Sequence, residues 1–101
     1  MSKSVIAKVY WVPLEKGGRT ALPAGKQYAT VSCFQEDAES WPQEAWSIVL
    51  EFDEPPLKQG NPSMARARFL VDAAPVDRLK PGRAFDLYEG VKRVATVEII
   101  E

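Results

Sequence analysis

The chain has 101 residues, 46% of them hydrophobic and 27% charged, which is the composition of one ordinary soluble domain with a modest core. Its 13 Lys and Arg against 14 Asp and Glu give a net charge of −1, which argues against a dedicated nucleic-acid binder with a basic surface. The absence of histidine excludes histidine-based nucleophilic and general-base sites and removes the commonest metal ligand.

The cellular setting is predicted from the cysteine count and the N-terminus. A single cysteine, Cys33, cannot form an internal disulfide. The opening residues Met1-Ser-Lys-Ser-Val-Ile-Ala lack the apolar region of a signal peptide, and no apolar run approaches the roughly 20 residues of a membrane span. We therefore expect a cytoplasmic protein that does not associate with membranes.

Apolar residues recur at a spacing of two in six segments, which is typical of half-buried strands. In chain order the segments are 5–12, 27–34, 46–52, 64–71, 85–87 and 95–99. In the second segment Ala29, Val31 and Cys33 share one face, and Tyr28 and Phe34 occupy the other.

The third and fourth segments alternate most clearly. Large apolar side chains occupy the even positions from Trp46 to Phe52. In the fourth segment the odd positions from Ala65 to Val71 are apolar, and Arg66 and Arg68 form the opposite face.

Glycine- and proline-rich turns separate the segments, and a helical turn is expected only within 72–79 or within 37–46, where Pro42 interrupts a longer run. Short strands without crossover helices predict an all-β domain over residues 1–101, a single six-stranded, antiparallel-rich β-barrel. The predicted core faces are Val9, Val31, Ile48, Leu50, Phe69, Phe85, Leu87, Val97 and Ile99.

Both ends of the chain carry motifs that resemble those of a known protein family. The run Ala7-Lys-Val-Tyr-Trp-Val-Pro-Leu-Glu-Lys-Gly-Gly-Arg-Thr20, followed by Gly25-Lys-Gln-Tyr28, resembles the opening of the third, C-terminal β-barrel domain of elongation factor Tu. Near the end, Pro75-Val76, Gly82, Phe85-Asp-Leu-Tyr-Glu-Gly90, Lys92 and Val94 resemble the corresponding run of that domain. The resemblance implies a translation-factor barrel standing without its GTPase domain.

The chain departs from the family where glycines are expected. Val91 replaces the second glycine after Glu-Gly, the family's arginine falls on Lys92, and Ala95-Thr96-Val97 replaces the closing Gly-Ala-Gly. No phosphate-binding Gly-x-x-x-x-Gly-Lys-[Ser/Thr] motif occurs, so we expect no binding of GTP or ATP and no cofactor.

Basic residues in loops are the candidates for RNA contact. Gly17-Gly18-Arg19 reads either as an anion-binding nest or, more commonly, as a hairpin turn that uses the freedom of glycine. The resemblance implies contact with the T-stem of tRNA, and by resemblance only it points to Arg19, Lys92 and Arg93.

Three further residues are candidates for partner binding. Arg66 and Arg68 give a local positive stripe, although a solvated strand face paired with glutamates is the commoner interpretation. Trp41 lies in a loop, where it either anchors a protein interface or folds back to cap an open barrel end.

The remaining reactive side chains do not indicate a catalytic or metal-binding site. Cys33 has apolar neighbours on its face and is expected to be a buried, inert thiol. Carboxylates fall in loops, and a small barrel fills its interior with side chains, so an enzyme and a metal site are not expected. The favoured function is a non-catalytic module that binds a protein partner through Trp41, Arg19, Arg66 and Arg68, with tRNA-like RNA as the alternative partner.

Overall fold

The computed structural model describes residues 4–37, 39–41, 43 and 45–101, and these residues form six strands, as predicted. The strands are β1 (Val5–Trp11), β2 (Gln27–Cys33), β3 (Trp46–Glu51), β4 (Ser63–Phe69), β5 (Ala84–Glu89) and β6 (Lys92–Ile99). They pair in the order β1-β4-β3-β2-β5-β6 and close into a barrel through the pairing of β6 with β1. Every pairing is antiparallel, which confirms the predicted all-β barrel.

The antiparallel order gives the barrel two ends with different loops. At the Trp11 end, β1, β3 and β5 finish and β2, β4 and β6 begin, so this end carries the β1–β2, β3–β4 and β5–β6 connections. At the Phe34 end lie the β2–β3 and β4–β5 connections together with the last residues of β6. The β1–β2 and β4–β5 connections join strands that are not neighbours, so each crosses an end of the barrel.

An aromatic cluster fills the barrel at each end. At the Trp11 end, the ring of Trp11 packs edge-on against Tyr28, with centroids 5.5 Å apart, and lies 6.5 Å from Phe52. At the other end Phe34 stacks on Phe85 at 4.5 Å and contacts Phe69 at 5.9 Å. Small barrels close in this way because their interior is narrow enough for side chains to occupy it fully.

The predicted core is confirmed except on β2. Eight of the nine core residues named from the sequence are buried, but Val31 is only half-buried and faces outward. Thr30 pairs with Ile48, and both point inward, so β2 presents polar side chains to the core. The hydroxyls of Thr30 and Ser32 donate to the carbonyls of Tyr88 and Trp46, which removes the penalty of burying them. The apolar pattern therefore selected the wrong face of this strand.

Two further strand details differ from the expectation. β4 ends at Phe69, so Val71, predicted on its core face, lies in the following connection with 48% of its surface exposed. Cys33 is half-buried rather than buried, and burial, followed by the charges of Asp86 and Asp37, raises the pKa of its thiol.

The helical turns fall partly outside the predicted places. The expected turn within 72–79 is the 3-10 turn Val76–Arg78, and the segment 37–46 borders the 3-10 turn Gln35–Asp37, whereas Pro42 lies outside the described residues. The 3-10 turn Leu14–Lys16 and the single α-helical turn α1 (Pro56–Gln59) were not predicted. Pro56 suits the first position of α1 because its φ is already helical and its missing N–H has no partner to lose.

Candidate interaction surface

Arg19 takes part in a three-residue polar cluster that closes the Trp11 end. Its guanidinium pairs with Glu89, which also accepts a hydrogen bond from the hydroxyl of Tyr28. The same guanidinium lies over the Tyr28 ring at 5.3 Å, and its Nε donates to the carbonyl of Ala21 at 3.1 Å. Arg19 is therefore held within the fold by three kinds of contact, and its charge is largely neutralised by Glu89.

The titration of this cluster follows from its contacts. Burial raises the pKa of the Tyr28 hydroxyl well above its usual value, and the hydrogen bond to Glu89 and the charge of Glu89 raise it further. Burial would also raise the pKa of Glu89, but the hydrogen bonds from Tyr28 and Arg19 and the positive charge of Arg19 lower it below its usual value. Glu89 is thus ionised and Tyr28 neutral at physiological pH.

The glycines before Arg19 form a turn rather than an anion nest. The N–H groups of Gly17 and Gly18 donate to the carbonyls of Leu14 and Pro13, at 2.9 and 3.0 Å, so neither points to an external anion. Gly17 has a φ of 89°, and a Cβ on Gly18 would stand 1.7 Å from the Val12 carbonyl oxygen. The turn belongs to the connection that crosses the barrel end, so the expectation of a hairpin turn was wrong.

Arg66 and Arg68 project from the outer face of β4, as their spacing predicts. Arg66 pairs with Asp53 at 2.8 Å, and Arg68 approaches Glu51 at 3.6 Å. This arrangement matches the interpretation of a solvated strand face paired with carboxylates. Partner binding through the two arginines stays a prediction, and each guanidinium would have to exchange a carboxylate for the partner.

Lys92 and Arg93 begin β6 beside the β5–β6 hairpin, at the same end as Arg19. Arg93 lies 3.8 Å from Asp86 and donates weakly to the hydroxyl of Thr96 at 3.4 Å. Lys92 is exposed and forms no ion pair with the residues that the structure describes, although its charge acts on Glu89. The three residues suggested by the resemblance therefore lie near one barrel end, but two of them already have acidic partners.

Trp41 is neither fully exposed nor placed inside a barrel end. Its ring packs on Tyr88 with centroids 4.5 Å apart, and its indole N–H donates to the carbonyl of Ser32 at 3.0 Å. Tyr88 pairs with the outward-facing Val31, so Trp41 covers the outer wall where β2 meets β5. Trp41 is half-buried, and its role as a partner anchor stays a prediction.

Sequence reasoning missed the exposed apolar side chains at the Trp11 end. Leu14 is 57% exposed, Leu57 is 59% exposed and Val91 is 97% exposed, and each belongs to a different connection of this end. A signal existed in the sequence, because each stands in a turn where an apolar side chain has no strand face to fill.

A groove lies beside the first of these residues. Its walls come from the end of β1, from both limbs of the β1–β2 connection and from the second residue after α1. The lining residues are Trp11, Val12, Pro13, Leu14, Arg19, Thr20, Ala21, Leu22 and Asn61.

No protein-family model matches this chain, and no curated protein is similar to it at a significant level. In the described part of the chain, no helix is both long and apolar enough to cross a bilayer.

Proposed function

We propose that this chain is a non-catalytic interaction module of the cytoplasm that binds a protein partner through the loops at its barrel ends, and that it is related to the third domain of elongation factor Tu. One observation carries the proposal. Among the residues that the structure describes, most of the large apolar side chains left exposed stand in connections rather than on strands. Those in connections are Leu14, Leu57, Leu70, Val71, Val76 and Val91.

Loops with exposed apolar side chains suit partner binding because the rigid barrel fixes their positions while their side chains remain free to be buried. The interior of the barrel, in contrast, is filled by its own aromatic and aliphatic residues. The closed antiparallel barrel and the motifs at both ends of the chain support the kinship with the translation factor.

Affinity capture of the tagged chain from its source cell tests this function. We expect one protein in stoichiometric amount, retained after nuclease treatment, and a lower yield with Trp41→Ala if Trp41 is the anchor. Recovery of no stoichiometric protein would contradict the module itself. Equal recovery by wild type and Trp41→Ala would remove only the anchor role of Trp41.

RNA is the second candidate partner, because Lys92 is exposed and unpaired among the described residues and stands near Arg19 and Arg93. Contacts with phosphates would make log affinity fall with log salt at a slope of roughly −0.7 to −0.9 per neutralised phosphate. Fluorescence anisotropy with tRNA at two salt concentrations measures this slope. Affinity unchanged in Arg19→Ala and Lys92→Ala would eliminate this candidate.

A further inference from the structure

Each of the three connections at the Trp11 end carries an exposed apolar side chain with a lysine one or two residues after it. The pairs are Leu14 with Lys16, Leu57 with Lys58, and Val91 with Lys92. The fold brings these three pairs to one end of the barrel although they are far apart in sequence. The repeated pairing makes this end an apolar surface mixed with positive charge.

The first two pairs belong to connections that contact each other. The N–H of Leu57 donates to the carbonyl of Pro23 at 3.0 Å, which holds α1 against the β1–β2 connection. Leu14 lines the groove described above, which has a volume of about 260 Å³. That volume is below the range of about 300–1,000 Å³ that is typical of small-molecule sites, and it suits one or two apolar side chains of a partner.

The lysines at this end differ from the arginines in their contacts. The ammonium groups of Lys16, Lys58 and Lys92 form no hydrogen bond or ion pair with any residue that the structure describes, although the charge of Lys92 acts on Glu89. Arg19, in contrast, is bound to Glu89. A flexible lysine with no internal partner can meet a carboxylate without first breaking a contact. Glu15 and Glu54 at this end also form no ion pair with a described residue, but the three lysines outnumber them, so the net charge available to a partner is positive, next to exposed leucines.

We infer that the Trp11 end docks an acidic amphipathic segment of the protein partner, in which apolar side chains enter the groove and cover Leu57 while carboxylates meet the lysines. This inference rests on the proposed function and names the chemistry of its partner. Charge complementarity decides it, because a basic or neutral segment would leave the three lysines without anions.

Other occupants fit this surface less well. An anionic membrane would also meet the lysines, but a groove of about 260 Å³ favours an inserted side chain over a flat lipid surface. Stacking of RNA bases needs open aromatic rings, but Trp11 is only 4% exposed and Tyr28 is partly buried beneath Arg19. A second copy of this chain is also a poorer occupant, because Glu36 and Asp37 of its acidic β2–β3 connection are already paired with Arg83 and Arg78.

A labelled peptide of alternating glutamate and leucine is the probe for this surface. We expect it to bind the wild-type chain at least about tenfold more tightly than a glutamate–serine peptide or a lysine–leucine peptide. Amide chemical shifts should change within residues 12–22, 56–61 and 90–92, and the affinity should fall as salt is added.

Matched variants separate the electrostatic contribution to peptide affinity from the apolar contribution. Two double variants are compared with wild type: Lys16→Glu with Lys58→Glu, and Leu14→Ser with Leu57→Ser. Each double variant should weaken peptide binding by about tenfold. The controls are Leu70→Ser, with an exposure of 54% close to that of Leu14 and Leu57, and Lys80→Glu, both at the opposite end. The controls should leave affinity unchanged, and all variants should unfold at the wild-type denaturant concentration because the substituted side chains are exposed.

Several results would overturn the inference. They are equal binding of the lysine–leucine peptide, shift changes confined to the Phe34 end, binding only to vesicles that contain phosphatidylserine, and self-association of the chain that the peptide does not displace. The proposed function can survive such a result, because the capture experiment would still return a stoichiometric protein. If capture fails while the peptide binds as expected, the surface stands and the assigned function does not.

Discussion

Asn61 completes the pairing of β1 from a position fifty residues away from Trp11. Its side-chain oxygen accepts the backbone N–H of Trp11 at 2.8 Å, and its amide nitrogen donates to the carbonyl of the same residue at 2.8 Å. The side chain thus forms with the backbone of Trp11 the two hydrogen bonds that a neighbouring strand would otherwise form. It satisfies two backbone groups at the edge of the groove, where the pairing between β1 and β4 has ended.

Removing this side chain should lower the stability of the fold. We expect Asn61→Ala to reduce the free energy of unfolding by about 1–2 kcal/mol, because two hydrogen bonds are lost together. Urea denaturation measures the change. Gln43→Ala is the control, since that exposed amide forms no hydrogen bond with a residue that the structure describes. Identical midpoints for Asn61→Ala and wild type would show that water replaces both contacts.

Two glycines of the β1–β2 connection should respond in opposite ways to a methyl group. In Gly18→Ala the new Cβ would stand 1.7 Å from the Val12 carbonyl oxygen, so backbone must move, and we expect a loss above about 2 kcal/mol. In Gly25→Ala the nearest atom would be 3.8 Å away, and the φ of Gly25 is open to alanine. This second change should be neutral or stabilising by up to about 1 kcal/mol. Thermal unfolding of both variants tests the contrast, which equal midpoints would contradict.

The Glu89 cluster should make stability depend on acidity. The pKa of Glu89 is lowered in the folded chain, so its contribution is complete above the usual glutamate pKa and is lost as pH falls through the folded value. Wild type should therefore exceed Glu89→Gln in stability near neutral pH, and the difference should shrink below about pH 4.5. Urea midpoints at several pH values follow this difference. A difference that stays constant with pH would mean that the charge of Glu89 contributes nothing.

Tyr28→Phe offers a second measure of the same cluster. It removes the hydroxyl that donates to Glu89 while keeping the ring beneath Arg19 and beside Trp11. We expect a loss of about 1–2 kcal/mol near neutral pH, since a hydrogen bond to an ionised carboxylate is stronger than a neutral one. In the background of Glu89→Gln the same change should cost less. Equal costs in both backgrounds would contradict the coupling of the two side chains.

Trp41 should contribute to stability as well as to any interface. Trp41→Ala removes the ring packed on Tyr88 and the indole hydrogen bond to Ser32, so we expect a loss of about 1–3 kcal/mol. Trp41→Phe keeps a ring and should lose less. Leu70→Ala, which truncates an exposed side chain, should change stability little and serves as the control. Wild-type stability of Trp41→Ala would indicate that the contact with Tyr88 adds nothing.

The sequence determined the strand number, most of the core and the all-β class, because period-two alternation is a local property of each segment. On β2 the alternation predicted the wrong face, because Thr30 and Ser32 point inward. Their hydroxyls can be buried because they donate hydrogen bonds to backbone carbonyls of β5 and β3, and these acceptors cannot be read from β2 alone. It also missed α1, whose backbone contact with Pro23 is not local.

The candidate surface was decided by tertiary structure. The positive charges of Arg19, Arg66 and Arg68 are visible in the sequence, but their neutralisation by Glu89, Asp53 and Glu51 depends on which strands become neighbours. Likewise, Leu14, Leu57 and Val91 are single apolar residues in three separate turns until barrel closure brings them to one end. Local spacing specifies which face of a strand is apolar, whereas pairing between distant strands specifies which charges are cancelled and which loops form one surface.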